Sequence, residues 1–141
     1  MKLNITDTTN RYIEGYENMG VETCLGKLPE IVGHSCDDVV LYNAISRMSR
    51  EDSLQILELA CSRVRANGKI SIYDVEIKAF CRAYINQTLD RTVFSSEIVD
   101  IANCIELSEV RSALKRHGIQ VETCCIQGYN YELVGVRNRI R

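Results

Sequence analysis

The chain has 141 residues, of which 45% are hydrophobic and 26% are charged, so we expect one folded domain, residues 1–141, with a substantial core. The formal net charge of −2 does not indicate a broad nucleic-acid-binding surface. The sequence contains neither a signal-peptide pattern nor an apolar run of membrane-spanning length. We therefore expect a cytoplasmic protein with no membrane partner.

Seven cysteines are spread along the chain, at positions 24, 36, 61, 81, 104, 124 and 125. Their number is odd, no Cys-x-x-Cys pair occurs, and most of them lie in apolar runs. This usage favours reduced thiols in the core of a cytosolic protein over disulfides or metal ligands. We therefore predict no metal site.

The N-terminal part of the chain predicts a strand, a helix and a second strand. Leu3 to Thr6 and Val21 to Leu25 have strand patterns. Between them, Thr8 or Thr9 is suited to cap a helix that ends at Gly20. The inward face of this helix consists of Tyr12, Ile13, Tyr16 and Met19.

The middle of the chain predicts a strand–helix–strand unit. Val39 to Tyr42 is an apolar run too short for a helix, and Lys69 to Tyr73 is a second β-rich run. Ser49 is suited to cap the helix between them, and Gly68 is placed for a left-handed C-cap. The inward face of the helix repeats every three or four residues: Leu54, Leu57, Cys61 and Val64. Such a unit forms parallel strands joined by a right-handed crossover.

The last third of the chain predicts three helices and a closing hairpin. The helical faces are Ile77, Phe80, Cys81 and Tyr84 in the first, Ile98, Ile101 and Ile105 in the second, and Val110 and Leu114 in the third. Ser95 or Ser96 is suited to cap the second helix, and Gly118 to end the third. Ile119 to Ile126 and Tyr131 to Val136 then form an antiparallel pair, before a basic tail that we expect to be frayed.

This order of elements resembles a class I S-adenosylmethionine-dependent methyltransferase, from its second strand to its end. Lys2 to Asp7 looks like the second strand, and Val39 to Tyr42 and Lys69 to Tyr73 look like the fourth and fifth. Arg65 to Lys69 looks like the Leu-Lys-Pro-Gly-Gly turn of the family. The resemblance implies a three-layer, Rossmann-like α/β fold, with a mainly parallel sheet and a C-terminal antiparallel hairpin.

The same resemblance implies that the first βα unit is missing, and with it the Gly-rich turn that holds the cofactor. Three arrangements follow. Leu3 to Thr6 pairs directly with Val39 to Tyr42, a second copy fills the gap, or Leu3 to Thr6 itself takes the central place. The loss would expose apolar surface that includes Tyr12, Tyr16 and Met19, which predicts a homo-oligomer or a protein partner.

Three residues are candidates for a cofactor site: Asp7, Tyr42 and Asn43. The resemblance implies that Asp7 binds the ribose hydroxyls and that Tyr42 and Asn43 end the fourth strand beside the reaction centre. The alternatives are structural roles: Asp7 would start a helix, Tyr42 would be a buried core tyrosine, and Asn43 would be a turn residue. Asp74 and Glu76, a carboxylate pair or solvated loop acids, follow the fifth strand. No pattern in the sequence identifies a catalytic residue.

Two functions are consistent with these patterns. The first is a methyltransferase-like pseudoenzyme that has lost S-adenosylmethionine, needs no cofactor, and acts as a binding, regulatory or partner-subunit module. The alternative is an active S-adenosylmethionine-dependent methyltransferase, or another nucleoside-cofactor enzyme, whose site is completed by a subunit or an unusual loop.

Overall fold

The computed structural model describes residues 1–138, so residues 139–141 of the predicted basic tail lie outside the described residues. The described residues form six strands and five α-helices. The strands are β1 (Lys2–Thr6), β2 (Glu17–Gly20), β3 (Cys36–Tyr42), β4 (Val64–Val75), β5 (Ile119–Gln127) and β6 (Asn130–Arg137). The helices are α1 (Cys24–Lys27), α2 (Arg50–Arg63), α3 (Ile77–Ile85), α4 (Arg91–Ile98) and α5 (Leu107–Arg116).

All six strands belong to one sheet, in the order β2–β1–β3–β4–β6–β5. The first four strands are parallel, and β6 runs antiparallel to both β4 and β5. Leu3 pairs with Val39, so the expected direct pairing of the first strand with Val39 to Tyr42 is confirmed. β1 lies between β2 and β3, so it is an interior strand next to the edge strand β2. The α/β fold with a mainly parallel sheet and a C-terminal hairpin is therefore as predicted.

The core lies on one face of this sheet. Leu3 and Ile5 of β1 are fully buried beside Val39 and Leu41 of β3, because alternate residues of a strand point to the same face. α2 contacts β3 and β4, and α5 contacts α2 and β5. Helices α2 and α5 therefore cover the apolar face, and the alternate residues of the same strands, such as Asn4 and Asp38, point to the other side.

The predicted central helix is present and slightly shorter than expected. Ser49 accepts a hydrogen bond from the backbone N–H of Asp52 at 3.3 Å, which confirms the predicted cap. Leu57 and Cys61 are buried as predicted, whereas Leu54 is only partly buried. Val64 does not belong to the helix, because it already starts β4.

The predicted N-terminal helix is wrong. Its place is taken by a single 3-10 turn, Thr9–Arg11, and by the strand β2. Gly15 adopts a φ of +83°, and the Asn18 side chain hydrogen-bonds the backbone N–H and C=O of Ile13. Such local side-chain bonds to the backbone compete with helix formation. Met19 is consequently buried in the core as a strand residue.

Two further boundaries predicted from the sequence are also wrong. Residues 21–25 are not a strand, because they turn into the short helix α1. The helix expected after Ser95 or Ser96 instead starts after Asp90 and ends at Ile98. Downstream, the Asn103 side chain donates to the carbonyls of Ile45 and Met48 at 2.7 Å, which holds this segment in an irregular conformation. The helices around Phe80 and Leu114 and the final hairpin are confirmed.

Gly68 is needed for a reason other than the predicted left-handed cap. The positive φ in this turn, +64°, belongs to Asn67. A Cβ atom on Gly68 would lie 2.8 Å from the Cys36 carbonyl oxygen and 3.0 Å from that of Arg65. Glycine is therefore required by the close approach of neighbouring backbone.

The cysteines do not all lie in the core as predicted. Cys24, Cys36 and Cys61 are buried, Cys124 is partly buried, and the exposed ones are Cys81, Cys104 and Cys125. The exposed cysteines lie outside the packed face: Cys81 is on the solvent side of α3, and Cys125 is on β5, the last strand of the sheet. Within residues 1–138, no helix is long and apolar enough to cross a membrane.

Candidate functional site

The order in which the chain adds strands to the sheet reverses between β1 and β3. From β1 the chain moves outward to β2, and then it returns across β1 to form β3 on the other side. In open α/β sheets, ligands bind outside the carboxyl ends of the strands at such a switch point. Thr6 ends β1 and Tyr42 ends β3, so the candidate site lies beyond these two residues.

Asp7 directly follows β1 and pairs with an arginine. One of its carboxylate oxygens lies 3.3 Å from Nε of Arg47. Nη1 of the same arginine lies 3.5 Å from a carboxylate oxygen of Asp100. The turn after β1 is capped by the Thr8 hydroxyl, which accepts from the Asn10 N–H at 3.4 Å, so Asp7 is not the capping residue. A positive side chain therefore lies between two acids at the switch point.

Tyr42 and Asn43 lie at the end of β3, as the sequence predicts. The Arg11 guanidinium lies over the Tyr42 ring, 4.4 Å from its centroid, which is a cation–π contact. Asn43 adopts a φ of +52°, and its N–H donates to the Tyr73 carbonyl at 2.8 Å. The reversal at Asn43 turns the chain away from β3 and ties it to the end of β4.

Residues 7–16 cross the polar face of β1 and β3 in place of a helix. The Asn4 side chain donates to the Arg11 carbonyl at 2.8 Å, and the Tyr16 hydroxyl donates to the Asp38 carboxylate. The hydrogen bond to Asp38, together with the partial burial of the Tyr16 hydroxyl and the negative charge of Asp38, raises the pKa of Tyr16 to about 12. These contacts place Arg11 over the strand ends.

Asp74, close to the end of β4, organises the turn after β3. Its carboxylate accepts hydrogen bonds from the backbone N–H groups of Ile45 at 3.0 Å, Ser46 at 3.2 Å and Val75 at 2.8 Å. The side chain is almost completely buried. Desolvation raises the pKa of Asp74, and the hydrogen bonds that it accepts oppose this rise. Asp74 is therefore a structural acid that fixes residues 43–47.

Two clefts open beside these strand ends, and Arg47 lines both of them. The first, here called the β1–β2 cleft, has a volume of about 440 Å³. Its polar lining residues are Asp7, Glu22, Arg47 and Asp100. Asp7 thus lies in a different cleft from Tyr42 and Asn43, so the structure does not bring the three predicted residues into one pocket.

The second cleft, here called the tyrosine cleft, has a volume of about 400 Å³ and lies at the ends of β3 and β4. Its walls include the rings of Tyr42, Tyr73 and Tyr129 and the carboxylates of Glu97 and Glu132. Tyr42 and Tyr73 have ring centroids 6.1 Å apart. The cleft is thus aromatic and acidic.

Sequence reasoning missed Glu22, Glu97, Tyr129 and Glu132 as site residues. Glu22 follows β2, but the sequence pattern predicts the strand at Val21 to Leu25 instead. The pattern therefore does not identify Glu22 as a residue at a strand end. Tyr129 belongs to the predicted turn between β5 and β6, and an antiparallel hairpin that starts beside the end of β4 must bring this turn to the site. The position of this hairpin turn is therefore the feature from which Tyr129 could be predicted as a site residue.

No protein-family model matches the chain, and no curated protein sequence matches it. Solved structures do match it. A SAM-dependent methyltransferase from Archaeoglobus fulgidus aligns with a TM-score of 0.62 and 12% identity, over 96% of this chain and 86% of that one. An O-methyltransferase family protein from Burkholderia thailandensis aligns with a TM-score of 0.62 and 13% identity. This alignment covers 88% of the chain but 37% of the Burkholderia protein, so the chain spans little more than a third of that relative.

A third structure is a complex between the Haloferax volcanii Trm112 methyltransferase activator and a putative methyltransferase. It aligns with a TM-score of 0.60 and 12% identity, over 99% of this chain and 83% of that one. At these identities the likeness concerns the fold. The chain has the Rossmann-like fold of class I S-adenosylmethionine-dependent methyltransferases.

Proposed function

We propose that this chain is a methyltransferase-fold binding module that has lost S-adenosylmethionine and acts as a regulatory or partner subunit. The observation that carries the proposal is the turn after β1, residues 7–11. In doubly wound sheets the first strand lies centrally, and the turn that follows it carries the glycines that bind the cofactor. β1 lies at the switch point, between β2 and β3, where such a first strand would lie, and the turn after it reads Asp-Thr-Thr-Asn-Arg.

The chemistry of this turn disfavours the cofactor. Glycines permit the backbone to approach a bound nucleotide closely because they have no Cβ atom. All five residues of the 7–11 turn carry side chains, and Thr8 and Arg11 are engaged in the cap and in the stacking on Tyr42. A cofactor would have to displace these contacts.

The ion pair of Arg47 also disfavours binding of the cofactor. If β1 is matched instead to the second strand of the family, as the sequence resemblance implies, Asp7 is the acid expected to bind the ribose, and Arg47 already pairs with it. A ribose hydroxyl would therefore compete with an ion pair for the carboxylate.

A role with a protein partner is part of the proposal. The putative methyltransferase from Haloferax volcanii, which has the same fold, is found in complex with an activator protein. A fold that has lost its cofactor retains its surfaces, so an association of this kind is the role that the chain would still be able to perform.

Titration calorimetry with S-adenosylmethionine and S-adenosylhomocysteine tests the proposal. We expect no binding tighter than about 1 mM, which corresponds to about −4 kcal/mol. A dissociation constant in the low micromolar range, about −8 kcal/mol, would contradict the proposal and support an active enzyme. In that case D7N and E22Q would identify the acid that binds the ribose, with the exposed E14Q as the matched control.

The second candidate function is an active methyltransferase, and one observation favours it. Glu22 follows β2 and lines the β1–β2 cleft. In dinucleotide-binding folds an acid at the end of the second strand binds the ribose. Retention of this acid beside a cleft of about 440 Å³ is the feature that an enzyme would need.

A further inference from the structure

We propose that the tyrosine cleft binds a small organic cation that carries an ammonium group. The inference rests on the proposed function as a binding module, because it names the ligand class that such a module would take. It concerns the residues at the ends of β3, β4 and β6 that line this cleft.

The walls of the cleft have the chemistry that organic cations prefer. Tyr42, Tyr73 and Tyr129 line it, and an aromatic ring attracts a cation through the negative potential of its face. Tyr42 already makes such a contact, because the Arg11 guanidinium lies 4.4 Å from its centroid. The chain thus shows that this ring accepts a cation.

Of the three acids that line the cleft, Asp74 is engaged by backbone donors, and the other two give the cleft a negative charge. Glu97 on α4 and Glu132 on β6 both line it, and neither has an ion-pair partner within residues 1–138. Arg47 also lines the cleft, but its charge is shared between Asp7 and Asp100. A bound cation would supply the missing counter-charge for the two glutamates.

Two aromatic walls of the cleft, Tyr73 and Tyr129, are held in place before any ligand binds. Tyr129 packs edge-on against Phe80 with ring centroids 5.1 Å apart, and its carbonyl accepts from the Glu76 N–H at 2.8 Å. Tyr73 lies opposite Glu132 in the register of β4 and β6. A site fixed in this way loses little conformational entropy when it binds a ligand.

The dimensions of the cleft favour a small molecule. Its volume of about 400 Å³ falls in the range that small-molecule sites occupy. The combination of three rings and two acids selects for charge and for apolar substituents at the same time. A methylated or alkylated ammonium satisfies both requirements.

Choline and 3,3-dimethyl-1-butanol provide a direct test, since they have the same shape and differ in the positive charge. Both are titrated into the ¹⁵N-labelled chain and followed by NMR. We expect choline to shift the amide resonances of Asn43, Val75 and Asn130 and to bind at least about tenfold more tightly than the alcohol. Equal affinities, or shifts confined to other residues, would overturn the proposal.

Variants of the two glutamates and of Tyr42 test whether these side chains bind the cation. We expect E97Q combined with E132Q to weaken choline binding at least about fivefold, whereas the exposed E122Q on β5 leaves it unchanged. Y42L should weaken it similarly, whereas Y12L, at an exposed tyrosine outside the cleft, should not. An unchanged affinity in the double glutamine variant, with a circular dichroism spectrum like that of the parent chain, would also overturn the proposal.

Failure of this inference is distinguishable from failure of the proposed function. S-adenosylhomocysteine has no positive sulfur but does carry an α-ammonium group, so its titration into the E97Q and E132Q double variant shows whether it uses the tyrosine cleft. Low-micromolar binding of S-adenosylhomocysteine contradicts the loss of the cofactor and leaves the choline result intact. The absence of any advantage for choline contradicts the cation site alone.

Discussion

The Asp74 carboxylate accepts a hydrogen bond from the Ile45 N–H at 3.0 Å, and this bond ties the end of β4 to the turn after β3. Two more backbone N–H groups, from Ser46 and Val75, point to the same carboxylate. A buried acid is normally costly, and here three donors offset that cost. The candidate site is therefore built on a buried acid that lines the tyrosine cleft and whose carboxylate is engaged by backbone donors.

Burial of Asp74 predicts a specific pH dependence of stability. Its pKa is raised in the folded chain by desolvation, from an ordinary value of 3.8. The folded state therefore holds the proton at pH values where the unfolded state has released it. The contribution of Asp74 to the free energy of unfolding must then fall as the pH rises from 3.8 through the raised pKa.

Urea denaturation of the parent chain and of D74N between pH 4 and pH 8, roughly the range over which carboxyl groups with raised pKa titrate, measures this effect. We expect the stability advantage of the parent chain over D74N to shrink with rising pH and then to level off. The exposed E122Q is the matched control for removal of one negative charge. An advantage that grows with pH would mean that the three donors lower the pKa of Asp74 in the folded state.

The inward face of α2 gives a prediction for stability. Leu57 is fully buried, and Gln55 on the same helix is exposed. L57A should lower the free energy of unfolding by about 2–5 kcal/mol, because it removes buried methyl groups and leaves a cavity. Q55A should change it by less than about 0.5 kcal/mol. Chemical denaturation measures both, and equal effects would contradict the observed orientation of the helix.

Gly68 and Gly26 form a matched pair of glycines. A Cβ atom at Gly68 meets the carbonyl oxygens of Cys36 and Arg65 at 2.8 and 3.0 Å, whereas one at Gly26 meets nothing within 4 Å. G68A should therefore destabilise the chain by about 1–3 kcal/mol through overpacking. G26A, within α1, should be neutral or stabilising by up to about 1 kcal/mol. The shift of the denaturation midpoint compares them, and similar costs would refute the close approach at Gly68.

The edge strand β5 predicts self-association. Glu122 is the one charged residue among its nine, and Ile126 is half exposed. Long edge strands with few charges tend to pair with other strands. We expect light scattering at micromolar concentration to give a mass above 16.0 kDa, and I126D to lower it. A mass of 16.0 kDa for the parent chain would reject self-association and leave a different protein as the partner.

The sequence predicts those parts of the fold in which the spacing of apolar residues matches the face that is buried in the structure. Val39 to Tyr42 is buried on its core face and continues directly into the site, and Leu57 lies in phase with the helix that covers it. The N-terminal segment satisfies a helical period equally well through Tyr12, Tyr16 and Met19. In this segment the chain turns at Gly15, which has a positive φ and prevents a continuous helix. The spacing of hydrophobic residues does not reveal such a turn.

The candidate site was predictable in position but not in composition. Tyr42 could be placed at a strand end because strand ends follow from the apolar pattern. Glu97, Tyr129 and Glu132 come from a helix, a turn and a different strand, and only the antiparallel course of β6 brings them together. Contacts between residues distant in sequence leave no local pattern in the chain.

The sparse packing of α3 and α4 has a consequence for amide hydrogen exchange. Phe80 is the one buried residue of α3, and α4 buries none, whereas α2 buries five. Helices of this length depend on packing for their stability, so α3 and α4 should open locally and exchange their amide hydrogens well before α2 does. Because α4 carries Glu97, each opening removes one wall of the tyrosine cleft, and a ligand bound there should therefore slow amide exchange in α4.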